Sequence, residues 1–121
     1  MVAVSAWDTY SKNLMKDLRA AALPDRVAFV SVLVEGETAE WGATLLDLDR
    51  WRSQLPGSIH VIDPRFAQLK PLSNLASTSL GLAIIDARSM EIVSVDIGIQ
   101  FNPKTKIEAA RDTIKARPPA Y

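Results

Sequence analysis

Cysteine is missing from all 121 residues. Its absence rules out disulfides, thiolate metal centres and any reaction that needs a sulfur nucleophile. Histidine occurs once, at His60, and no serine stands in a nucleophile motif beside it, so no triad can be read. Glycine is scarce: five residues, none in a Gly-x-Gly-x-x-Gly or Gly-x-x-x-x-Gly-Lys pattern, which excludes a recognisable phosphate loop. Charge of one sign is also lacking, because 14 Lys plus Arg balance 14 Asp plus Glu. A nucleic-acid partner usually requires a basic excess. The cations Lys104, Lys106, Arg111, Lys115 and Arg117 read as one solvated helix face. No apolar stretch approaches the length of a membrane span, and "MVAVSAWDTY" has no basic leader region. These absences predict a cytoplasmic chain without cofactor, membrane or nucleic-acid partner.

What is present suits one domain over residues 1–121, with 117–121 a short tail. Hydrophobic residues at 48% and charged residues at 23% suffice for a core without staples. Over residues 5–22, Trp7, Tyr10, Leu14, Leu18 and Ala21 recur at helical spacing, with Ser5 and Asp8 as a capping box. "VAFVSVLV", 27–34, is continuously apolar and predicts a strand buried on both faces. A helix follows from Thr38 to about Leu55, with Trp41, Leu45, Leu48 and Trp51 inward and Asp47 outward. Strands are expected at 58–63 and 80–86, with short helical turns between them. The segment 91–98 alternates: Glu91, Val93, Val95 and Ile97 face one way and Ile92, Ser94 and Asp96 the other. Asn102 and Pro103 open a last helix with Ile107, Ala110 and Ile114 inward. The expected order is α-β-α-β-α-β-β-α. It predicts an α/β fold, a four-stranded mixed sheet with helices on both faces.

That order, together with "VSVLVEGETAEWGAT", "HVIDPRFAQL" and "LGLAIIDARSMEIVSVDIG", resembles the thioredoxin-like superfamily over residues 5–116, without its first strand. The likeness implies a three-layer sandwich with a site where the strand at 27–34 meets the next helix. In that family a Cys-x-x-Cys motif follows the tryptophan, and a cis-proline faces it. Here Gly42, Ala43, Thr44 and Leu45 follow Trp41, and "STSLG", 77–81, has no proline. Disulfide exchange is therefore excluded by chemistry, and no catalytic residue carries over. The resemblance implies a non-catalytic binding module, an adaptor, chaperone or assembly factor. Its groove would be lined by Glu37, Thr38, Glu40, Trp41, Gly42, Ala43 and Thr44 on one wall and Ser77, Thr78 and Ser79 on the other. A protein or peptide segment is the expected partner.

Two alternatives belong beside it. A homodimer would pair the 91–98 edge strand or the helix bearing Trp41 and Trp51. A metal-dependent enzyme would use Asp63 and Asp86, if the strands they terminate are parallel and both ends fall on one side of the sheet.

Overall fold

Val2–Ser5 is a run of four residues with every side chain buried. Such a segment is satisfied only between two strands, and it forms β1, the middle of a five-stranded sheet. The computed structural model describes residues 1–20, 27–54, 56, 58–68, 81–97 and 102–118. Along them come β1, α1 (Thr9–Ala20), β2 (Val30–Glu35), α2 (Leu45–Gln54), β3 (Ile59–Ile62), β4 (Gly81–Asp86), β5 (Glu91–Ile97) and α3 (Pro103–Ala116). A single 3-10 turn, Pro64–Phe66, follows β3. The expectations over Ala21, Leu55 and 69–80 lie outside the described residues.

The strand order is β3-β2-β1-β4-β5. β1, β2 and β3 are parallel, while β4 runs antiparallel to both β1 and β5. The α/β class and the mixed sheet agree with the sequence, but the sheet has five strands rather than four. The missed strand is β1, whose Ser5 looked like a helix cap. Ser5 is in fact a strand residue, and Asp8 caps α1 by accepting from the amides of Tyr10 and Ser11 at 3.2 and 2.9 Å.

Helices on both faces were expected, and the described helices all pack on one. From β1 the chain steps to β2 and then β3 in the same direction. Two right-handed crossovers in one direction put both helices on the same side. Leu14, Met15 and Leu18 of α1, Leu48 and Trp51 of α2 and Ile107 of α3 share one core with Val2, Val4, Leu33 and Leu82. Ala3, Val32 and Val34 point to the opposite face and form a second cluster, which no described helical side chain joins. Asn102 caps α3 as the sequence foresaw, accepting from Lys104 and Thr105.

β5 departs from strict alternation. Ser94 pairs with Ile84, yet Ile92 pairs with Ile85, so a bulge absorbs Val93. Ile92 is thereby turned to the face of Val95, and Glu91 to the face of Asp96. That switch lets Asp96 meet Lys106 and Glu91 meet Arg117, at both ends of α3.

Candidate partner-binding site

β2 runs out at Glu35, and the next residues cannot start a helix at once. Gly36 lies so close to Asp47 that a Cβ there would stand 2.5 Å from the carboxylate oxygen Oδ2. Thr38–Trp41 closes a turn in which the Trp41 amide donates to the Thr38 carbonyl at 3.3 Å. The Gly36 amide donates to the Trp41 carbonyl at 3.1 Å, and Glu35 bridges Gly42. The chain then re-enters the core at Ala43, whose amide donates to the Val34 carbonyl at 3.2 Å.

Helix α2 therefore begins at Leu45, not Thr38. Its start is a capping box in Thr44-Leu-Leu-Asp47. The Asp47 carboxylate accepts from the Thr44 amide at 2.8 Å and from its hydroxyl at 2.6 Å. The Thr44 hydroxyl accepts in turn from the Asp47 amide. Asp47 also accepts from the Glu37 amide at 3.3 Å, tying the loop to the helix. Burial pushes the Asp47 carboxyl up, but the Thr44 hydroxyl, the Thr44 and Glu37 amides and the Arg50 charge outweigh it and hold it below the ordinary carboxylate value. Asp47, expected outward, is a buried clamp.

The shifted start re-aims the tryptophans. Trp41, which the sequence leaves open between core and groove, and Leu45, expected inward, are each 72% exposed; Leu46 is 59% exposed. Trp51, only 2% exposed, is the core residue. Its indole N–H donates to Ser31 Oγ at 3.2 Å, and Ser31 Oγ lies 2.6 Å from His60 Nδ1. An indole only donates, so Ser31 accepts from Trp51, and the same hydroxyl also bonds the imidazole. Ser31 and His60 are both buried. This serine–histidine contact is a hydrogen bond within the core.

Against the Trp41 loop stands the Pro64–Phe66 turn. A Cβ on Gly42 would sit 3.1 Å from Pro64 Cβ. The Arg65 guanidinium donates to the Glu40 carbonyl. Glu40 and Arg65 both hold left-handed backbone, φ 67° and φ 54°. Such residues cost about 1–3 kcal/mol each and persist where their surroundings over-determine them. Two of them, joined by one hydrogen bond, border Trp41.

The sequence reading missed Trp7 and Tyr10 as surface groups. Both follow the C-terminal end of β1 and are exposed. The Trp7 amide donates to the Gly36 carbonyl at 3.0 Å, and its indole N–H donates to Glu35, which also accepts from the Ser5 hydroxyl. Gly36 is thus bonded on one side to Trp7 and on the other to Trp41. The two exposed tryptophans stand at the C-terminal ends of neighbouring parallel strands, where sites in open α/β sheets form.

Of the expected wall, Glu37, Thr38, Glu40, Trp41, Gly42, Ala43 and Thr44 lie in one loop, with Ala43 buried and Thr44 occupied as a cap. Ser77, Thr78 and Ser79 lie outside the described residues. β1 stands between β2 and β4, so the described neighbour of the loop is the 64–66 turn. The Asp63–Asp86 pair does not assemble. Asp63 ends β3, parallel to β1, whereas Asp86 ends β4, antiparallel to β1, so they lie at opposite ends of the sheet. Asp63 accepts from the Gln68 amide at 2.8 Å. Asp86 accepts from the Arg88 amide and guanidinium, which hold its carboxyl at about 2. Among the described residues no group of three or more metal-ligating side chains is found, and no described helix is long and apolar enough to cross a membrane.

These elements define an α/β protein with a five-stranded mixed sheet and an aromatic loop surface at the C-terminal ends of its parallel strands. Compared with protein-family models, curated proteins and solved structures, the chain matches none.

Proposed function

We propose that the protein is a non-catalytic binding module that docks a segment of another protein on the Trp41 loop. The observation that carries this is the contrast between two tryptophans near one helix, Trp51 buried and Trp41 exposed. Leu45 and Leu46 extend the apolar surface beside it. Large aromatic groups on rigid supports are the anchors that dominate interface energies. The supports here are the capping box, the Gly36 bonds and the Arg65 bond to Glu40.

The thioredoxin-like reading is part of this proposal. It is supported by β2, its turn, α2, β3, the β4–β5 hairpin and α3 following in the expected order. The expected groove between the loop and the segment entering β4 would have to be reached across β1.

The test is selection of displayed random peptides on the intact protein, with counter-selection on Trp41→Ala. Peptides that bind the first and not the second are expected. A repertoire indifferent to Trp41 would overturn the proposal. Self-association is the second reading, because β5 is an edge strand whose Ile92 and Val95 are exposed. In the other dimer route, the helix bearing Trp41 and Trp51, only the surface of Trp41, Leu45 and Leu46 is exposed, Trp51 being buried. Light scattering across a concentration series separates the two.

A further inference from the structure

We infer that the segment docking on Trp41 is cationic, an extended or helical stretch carrying Lys or Arg beside apolar residues. The inference rests on the docking reading above and adds the chemistry of the partner.

It comes from the distribution of charge. Between Val27 and Asp49 the chain has five carboxylates, Glu35, Glu37, Glu40, Asp47 and Asp49, and no Lys or Arg. Two of the five are spent: Asp47 on the helix cap, and Glu35 on Trp7 and Ser5. Glu37, Glu40 and Asp49 are exposed and form no ion pair among the described residues. Glu37 and Glu40 flank the turn that presents Trp41. Among the described residues the nearby cations are Arg65, whose guanidinium bonds the Glu40 carbonyl, and Arg50, whose charge acts on Asp47, two against five carboxylates.

An exposed indole beside an excess of carboxylates suits a cationic ligand. A Lys or Arg side chain over an indole face gains cation–π attraction, and its charge meets the carboxylates. Apolar neighbours in the same segment would cover Leu45 and Leu46. The same carboxylates repel nucleic-acid phosphates and anionic lipid, which aromatic surfaces otherwise attract. The cations of α3 offer no match from a second copy, since they lie among Thr105, Asp112 and Thr113 rather than beside exposed large apolar groups.

The experiment uses the same peptide selection, followed by titration of individual peptides against the full chain. Trp41-dependent peptides should be enriched in Lys and Arg interleaved with apolar residues. Their affinity should fall on the order of tenfold in the Glu37→Gln, Glu40→Gln double variant. It should also fall as salt rises from about 0.1 M to about 1 M, where the Debye length is about 3 Å. Circular dichroism should show the double variant folded, since neither side chain has a described partner. Trp41-dependent peptides with no basic enrichment, or with affinity unchanged in the double variant, would overturn the cationic inference and leave the docking reading standing. Failure to obtain any Trp41-dependent peptide would overturn both. A Trp41-dependent dimer in sedimentation would overturn the inference by naming a second copy as the occupant.

Discussion

Removing the Trp41 indole is expected to change urea-unfolding stability by no more than about 0.5 kcal/mol, the range of ordinary surface substitutions. Trp51→Ala should cost about 3–5 kcal/mol, because it opens a cavity in the shared core and strips a donor from Ser31. Equal losses in the two variants would contradict the assigned exposures. Asp86 gives a second test. Its carboxyl sits at about 2, below the ordinary 3.8, because the Arg88 guanidinium and amide bond the charged form. A depressed acid contributes stability above its unfolded value and loses it as pH falls. The contribution from Asp86 is therefore complete above about pH 4 and lost towards pH 2. In Arg88→Gln, the Asp86 carboxyl followed by NMR should titrate near the ordinary value. An ordinary titration in the unaltered protein would contradict the geometry.

At the scale of elements, the start of α2 governs the site. Asp47→Ala removes the acceptor for two amides and a hydroxyl and should cost about 1–3 kcal/mol. Hydrogen exchange should then quicken at Glu37 and Thr44. Unchanged protection at Glu37 would show that the cap does not hold the loop. This capping box was legible in the sequence as Thr44-x-x-Asp47, but Thr38 with Glu40 offered a competing start, and an apolar Trp41 fitted a helix begun there. Only the Gly36 and Trp41 backbone bonds decide between them, and they depend on where β2 ends. Asn102 with Pro103 had no competitor, and that cap was read correctly. Edge strand β3 carries a further device. Ile59 donates to Phe29, just before β2, and Asp63 to Leu33 of β2, so alternation turns the His60 carbonyl outward, where the Arg52 guanidinium occupies it at 3.1 Å. Arg52→Ala should raise self-association in light scattering by freeing this edge; a monomer at all concentrations would contradict a guarding role.

On the scale of the whole molecule, β1 orders everything else. It is parallel to β2 on one side and antiparallel to β4 on the other, and it directs both crossovers the same way. Four residues are too few for a periodicity to show. The expectation of helices on both faces followed from that omission, since counting β2 as the first strand left the direction of the first crossover undefined. The local strands β2 to β5 and helix α3 were legible because each is bounded by turn residues or caps. The aromatic surface was half legible: Trp41 stood out, whereas Trp7 was hidden by its fit to an apolar helical stripe. Amides of β1 and β2, such as Val4 and Leu33, are expected to be among the slowest to exchange, as both residues are fully buried in adjacent strands. The most direct test of the account is fluorine NMR of protein labelled with 5-fluorotryptophan, titrated with a Trp41-selected peptide. The Trp41 signal should respond to solvent isotope and shift saturably with peptide, while the Trp51 signal does neither. A Trp41 signal indifferent to both solvent and peptide would contradict it.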